Sequence, residues 1–275
     1  MPPAIEFRDV SLSTGGRTIL SGVSLALEQG TTTAILGRSG SGKTTLLRMV
    51  NRLISPTSGT VLVDGQDVSG VDLIGLRRGI GYVIQETGLF PHLSVARNVT
   101  MVPELEGRDR AEFPARVREL LTMVGLDPEQ FAARYPAQLS GGQRQRVGLA
   151  RALAADPAVL LMDEPFGALD PLTRAEMQEM LVALLARLRE QGQQQAAGNP
   201  EKGARGSGKG DETSGKTVLL VTHDLDEALF LASRIVLVEG GRVVADLPPY
   251  EFLHSAQPEV GAYVSAFHRG EKARA

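Results

Sequence analysis

The chain has 275 residues, 42% of them hydrophobic, enough for one compact domain or two tightly joined subdomains around a substantial core. Lys and Arg total 29 against 32 Asp and Glu, a net charge of -3 without a single-sign tail, which argues against a dedicated nucleic-acid binder. With no cysteine, a disulfide scaffold, thiolate zinc sites and a cysteine nucleophile are excluded.

Glu6, Arg8 and Asp9 fall where a secretory peptide needs an apolar run, so export by that route is not expected. The longest aliphatic runs fall far short of the ~20 residues that span a bilayer, and any work at a membrane is expected from the water side through a partner. Lysine is rare, five against 24 arginines, and Lys43 is the only one before position 202. A lone lysine amid arginines marks a position that needs a compact ammonium on a flexible stem.

Short β-rich runs at 5–10, 33–36, 60–63, 159–162, 218–222 and 235–238 alternate with helical patterns and predict an α/β sheet. After the second run comes Gly37-Arg38-Ser39-Gly40-Ser41-Gly42-Lys43-Thr44, which fits G-x-x-x-x-G-K-[ST] between a strand and a helix. Its glycines let consecutive N–H groups turn onto phosphate oxygens, and the helix start adds partial positive charge. Lys43 is expected on the β- and γ-phosphates and Thr44 on Mg²⁺. Leu46, Leu47, Val50, Leu53 and Ile54 continue the helix at helical spacing. Asp64-Gly65 after the third run predicts a hairpin turn, hence an antiparallel subsheet beside the parallel one.

Residues 88–156 offer no convincing strand and predict a helical insert, with Arg116, Leu120, Leu121 and Val124 on one helix that Gly125 ends. Leu139-Ser140-Gly141-Gly142-Gln143 precedes another helical run, so Ser140 is an expected N-cap and the two glycines mark a second place for phosphate to approach. A second anion site implies a further nucleotide or one shared with a second subunit. The run at 159–162 delivers Asp163-Glu164 to a strand end, where Asp163 can hold magnesium through water and Glu164 can polarise an attacking water. Asp170-Pro171 supplies an N-cap and N1 proline for a helix carrying Met177, Leu181, Leu184, Leu185 and Leu188. Residues 191–216 hold no aliphatic side chain beyond alanine, are rich in Gly, Gln and Ser, and are expected to form a mobile loop, or alternatively a docking or regulatory segment.

Together these motifs resemble the signature set of ATP-binding cassette (ABC) proteins over nearly the whole chain. The resemblance implies an α/β P-loop NTPase (RecA-like) core over residues 1–87 and 157–275 with an antiparallel β-subdomain. It further implies an α-helical signature subdomain over 88–156 and a flexible insertion at 191–216. ATP would be held by Gly37, Arg38, Ser39, Gly40, Ser41, Gly42, Lys43, Thr44 and Thr45 of one copy and by Ser140, Gly141, Gly142 and Gln143 of a second, in a head-to-tail homodimer. By the same similarity Gln85 would sense magnesium and the attacking water, Asp170 would belong to the D-loop, and His223 would be the switch histidine on the γ-phosphate. Glu164, His223 and Gln85 are thus the candidate catalytic residues, and Thr44, Gln85 and Asp163 the candidate Mg²⁺ ligands.

Residues 49–54, 76–85, 88–92 and 163–170 are similar to ATPases of importers for glycine betaine, choline, carnitine or proline. This implies a peripheral subunit on the cytoplasmic face of the membrane, driving a transmembrane permease through residues 88–99 and fed by an extracytoplasmic solute-binding protein, with no nucleic acid. Leu89 and Phe90 are either exposed for that permease or ordinary core residues. Cassettes usually place an aromatic ring near position 14. Thr14 stands there instead, so weak discrimination among nucleoside triphosphates is expected, with Arg17 stacking on the base. Alternatives are a cassette for another small solute, an amino acid or a lipid, or a nucleic-acid-linked cassette; a P-loop kinase would not need residues 139–143.

Overall fold

The structure, a computed structural model, describes residues 2–85, 87–198 and 215–272. It begins with β1 (Ile5–Thr14), β2 (Arg17–Leu27), β3 (Thr32–Leu36), α1 (Lys43–Val50), β4 (Ser58–Val63), β5 (Gln66–Asp67), α2 (Leu73–Arg78) and β6 (Ile80–Val83). Helices follow: α3 (Val95–Leu105), α4 (Phe113–Met123), α5 (Pro128–Phe131) and α6 (Gly141–Leu153). The chain then forms β7 (Val159–Asp163), α7 (Pro171–Gly198), β8 (Thr217–Val221), α8 (Leu225–Leu231) and β9 (Arg234–Glu239). It closes with β10 (Arg242–Leu247), α9 (Pro249–Leu253) and α10 (Pro258–Lys272). Two units result, one made of the chain up to Leu76 and from Leu219 onward, the other of Arg77–Val218.

In the first unit a four-stranded sheet runs β2-β1-β4-β5, all antiparallel. The expected turn is there: Asp64 and Gly65 both take positive φ, 48° and 74°, between the paired Val63 and Gln66. That two-residue geometry matches the right-handed twist of the strands it joins. The same unit holds β10-β9-β3, with β9 parallel to β3 and antiparallel to β10. The end of β8 lies beside β3, where the Thr222 N–H donates to the Ile35 carbonyl at 3.2 Å. All five residues of β3 are buried, as expected of a strand covered on both faces. Phe7, Leu20, Leu27, Ile35, Leu46, Leu47 and Phe252 are among the fully buried side chains of this core.

In the second unit β6 and β7 pair in parallel, and the start of β8 joins β7's side through the Thr217 N–H on the Ala158 carbonyl at 2.9 Å. Residues 88–156 contain helices only, as their pattern predicts. Leu120 and Leu121 are buried on α4, while Gly125 just beyond its end adopts a φ of 70°.

The six expected strands all form, with edges within a few residues, and β5 completes the expected hairpin, but β2, β6 and β10 are additional. β2 pairs with β1 through bulges and carries Ser21, Gly22 and Ser24, which blur its alternation. β6 is only four residues long and includes Gly81, where a Cβ would stand 2.6 Å from the Ala152 carbonyl oxygen. Glycine there is a packing requirement of a close backbone approach rather than a turn signal. α1 stops at Val50, so Leu53 lies past the helix and is 49% exposed. α7 runs to Gly198, eight residues into the stretch expected as a loop, because Gln191, Gln193 to Gln195, Ala196 and Ala197 are good helix formers that extend a helix already nucleated and packed upstream. Residues 199–214 of that stretch lie outside the described residues. Among the described residues, no helix is long and apolar enough to cross a membrane.

Candidate functional site

β3 delivers the chain into the glycine loop, and α1 begins at Lys43 behind Gly42, whose φ is 104°. Gly42 offers no side-chain cap to the first turn of α1, and a helix start is where an anion is favoured. Arg38, Ser39 and Gly40 are exposed, Ser41 and Lys43 are buried, and Thr44 and Thr45 are half-buried. The Lys43 Nζ donates to the carbonyls of Gly37 at 2.8 Å and Arg38 at 3.0 Å, so the ammonium sits inside the curl of its own loop. Gly37 is required by space: a Cβ there would lie 2.2 Å from the Val238 carbonyl oxygen.

His223 follows β8 and is exposed. Its neighbours fix its backbone. The Thr222 Oγ1 donates to the buried Glu227 carboxylate at 2.9 Å and accepts from the Asp224 N–H at 3.0 Å, while Asp224 caps α8 by accepting from the Glu227 N–H at 3.1 Å. Sequence reading missed this brace, although Asp224 followed three residues later by Glu227 is the spacing of a capping pair.

In the second unit, fully buried β7 brings Asp163 to its end, 3% exposed, with the Tyr82 hydroxyl donating to Oδ2 at 3.4 Å. Glu164 follows at φ 46°, left-handed backbone that costs a non-glycine residue on the order of 1 kcal/mol. Its carboxylate accepts from the Gln85 Nε2 at 3.4 Å. The structure therefore brings together Gln85 and Glu164, which lie 79 residues apart in sequence.

Ser140 caps α6 as its residue type predicts. Its Oγ accepts from the Gln143 N–H at 3.2 Å, and the Gln143 side chain returns the bond by accepting from the Ser140 N–H at 3.0 Å. Gln143 thereby serves its own helix start, a role not anticipated from sequence. A Cβ on Gly142 would meet the Thr173 methyl at 2.6 Å, so this turn is pressed against the start of α7. There Asp170 caps α7 by accepting from the Thr173 N–H at 3.1 Å. Hydrogen bonds from the Thr173 side chain and backbone hold the Asp170 carboxyl below the usual carboxylate range. Ser140 to Gln143 and Asp170 thus occupy adjoining helix starts.

The family model of the ABC transporter matches residues 20–167. The chain belongs to the ABC transporter family. It is 44% identical over 243 residues to the osmoprotectant import ATP-binding protein OsmV of Salmonella typhimurium, covering 88% of this chain and 57% of that one. To the glycine betaine uptake system ATP-binding protein YehX of Escherichia coli it is 43% identical, over 90% of this chain and 72% of that one. The chain thus spans little more than half of OsmV. In structure it is similar to the dimeric ATP-binding cassette MJ0796 in a post-hydrolysis state bound to ADP and Pi, with a TM-score of 0.71 and 33% identity over 89% of this chain and 98% of that one. The fold is that of an ABC cassette.

One further residue of this cassette was invisible to motif reading. Arg151, on α6, donates from its two terminal nitrogens to the carbonyls of Thr87 at 2.6 Å and Gly88 at 2.7 Å, just past Gln85. Thr87 and Gly88 both have positive φ, 52° and 53°, so the guanidinium braces a tight, strained bend. Nothing local marks Arg151 among 24 arginines. Arg151→Met is expected to lower stability by about 1.5–3 kcal/mol, the usual worth of hydrogen bonds from a charged donor. Denaturant unfolding checks this, and a change under 0.5 kcal/mol would show the brace to be redundant, that being about the resolution of the method.

Proposed function

We propose that this chain is the ATP-hydrolysing subunit of an ABC importer, working as a head-to-tail homodimer around two ATP molecules. The observation that carries the reading is the phosphate loop, where the buried Lys43 ammonium lies within a curl of backbone that opens onto an uncapped helix start. In this reading Gly37 to Thr45 bind the phosphates and Lys43 neutralises charge on the β- and γ-phosphates. Ser140 to Gln143 of a second copy close over the γ-phosphate from the opposite side, with Asp170 next to them. Glu164 polarises the attacking water, Gln85 positions it, and His223 contacts the γ-phosphate.

In this reading Thr44, Gln85 and Asp163 would hold Mg²⁺, for their side chains offer hydroxyl, amide and carboxylate oxygens. That is the hard, weakly charged donor set of a magnesium shared with substrate phosphates. When bound, the ion neutralises charge on those phosphates.

The solute is an osmoprotectant of the quaternary-ammonium class, glycine betaine, choline or carnitine, taken up through a permease and delivered by an extracytoplasmic binding protein. The similarity to OsmV and YehX supports this assignment. The permease docks along residues 88–99, where Phe90 is 41% exposed while its backbone is held in place by the fully buried Asn98. The cassette then sits peripherally on the cytoplasmic face. Co-purification with the permease, reconstitution with the binding protein, and a comparison of ATP turnover with glycine betaine, choline, carnitine or an amino acid tests the reading. Stimulation by the quaternary amines alone is expected; stimulation by the amino acid alone would replace the solute.

The β1–β2 turn makes nucleotide preference testable. Thr14, Gly15, Gly16 and Arg17 are all exposed, with Thr14 paired to Arg17. The expected result is kcat/KM for ATP and GTP within about 10-fold of each other, and a rise in KM of about 3- to 10-fold for both in Arg17→Ala, as loss of one stacked cation implies. A strong ATP preference indifferent to Arg17→Ala would refute it.

A further inference from the structure

The last helix reaches back to the phosphate loop. α10 is anchored by the fully buried Val260, and it borders a small crevice lined by Gly37, Arg38, Val238, Glu259 and Tyr263. From this helix the Tyr263 hydroxyl donates to the carbonyl of His223 at 3.2 Å, across 40 residues of sequence. Gly37, the first residue of the phosphate loop, lines that crevice beside Tyr263. Tyr263 therefore bonds the segment of His223 and borders the phosphate loop, the two segments of this unit that the functional reading places at the terminal phosphate. The brace formed by Thr222, Asp224 and Glu227 holds the chain on either side of His223, and Tyr263 holds the carbonyl of His223 itself.

We infer that Tyr263 is a positioning residue for hydrolysis, which sets the switch histidine relative to the phosphate loop and so makes α10 part of the nucleotide machinery. The inference rests on the assignment of His223 to the γ-phosphate. The contact with His223 needs the phenol proton, because only an O–H can donate to a carbonyl. Burial, with a smaller contribution from Asp224, pushes the phenol up to about 12 against the lowering effect of the Gly37 backbone, so the proton is retained at neutral pH. A hydrogen bond between fixed segments acts on geometry, and geometric errors at a reacting phosphate appear in kcat rather than in binding.

The test compares the full chain with Tyr263→Phe and His223→Ala. Tyr263→Phe keeps the ring against its crevice and removes only the hydroxyl. The expected result is a kcat for ATP lowered about 3- to 10-fold, the usual worth of one positioned hydrogen bond, with KM within two-fold and the unfolding midpoint unchanged. His223→Ala is expected to fall well below that. Unaltered kcat in Tyr263→Phe beside a crippled His223→Ala overturns the inference alone. A raised KM with kcat retained assigns the hydroxyl to the phosphate loop only, and a loss of kcat matched by a lower midpoint makes it merely structural; both overturn it too. Parent-like hydrolysis by His223→Ala instead overturns the assignment on which it stands.

Discussion

Glu164→Gln is expected to slow ATP hydrolysis by about 10²- to 10⁴-fold, the span over which a positioned general base acts, while the protein still binds ATP. The substitution is close to isosteric. Gln85 reaches Glu164 through its amide nitrogen, and a glutamine at 164 still offers it a carbonyl oxygen. The left-handed backbone at φ 46° depends on the chain around it and not on the charge, so folding should not suffer. What disappears is the negative oxygen that the proposed role requires to take a proton from water. On the proposed reading, in which the intact triphosphate holds the two copies together and its cleavage releases them, an ATP-loaded dimer should then accumulate. Light scattering with and without ATP, together with phosphate release, checks both halves. Hydrolysis at the parent rate would remove Glu164 from the chemistry.

Lys43→Ala carries the second large effect. The ammonium is 5% exposed and bound to two carbonyls, so its removal takes a donor from the Gly37 and Arg38 oxygens and, on the proposed reading, takes a cation from the phosphates. Losing one partner of a desolvated charge contact costs about 2–5 kcal/mol, which is a loss of roughly 30-fold to more than 1000-fold in ATP affinity. Calorimetric titration with a non-hydrolysable analogue measures it. Lys43→Arg should fail as well, because a planar fork does not fit within a curl of backbone built for a compact ammonium. Affinity equal to the parent's in Lys43→Ala would locate the phosphates elsewhere.

Much of this fold and its candidate site was legible in the residues themselves. The phosphate loop, the buried strand ending in Asp163, the Ser140 and Asp170 caps and the Asp64-Gly65 turn each depend on neighbours a few positions away. β2 and β6 escaped reading because bulges and close backbone packing put serine and glycine where alternation would put larger side chains. The end of α7 escaped because composition cannot say whether a polar, alanine-bearing tract continues a helix that tertiary packing has already nucleated.

By itself the amino-acid order determined the class of sheet, the nucleotide loop and the resemblance to ATP-binding cassettes, since helix starts, turns and strand ends are properties of short stretches. Only the tertiary structure decided which atoms hold those stretches in working register. Tyr82 on Asp163 spans 81 residues, Gln85 on Glu164 spans 79, Arg151 on Thr87 spans 64 and Tyr263 on His223 spans 40. Each is a hydrogen bond between segments that meet only once the chain has folded, and no local pattern tells which distant partner a given side chain will meet.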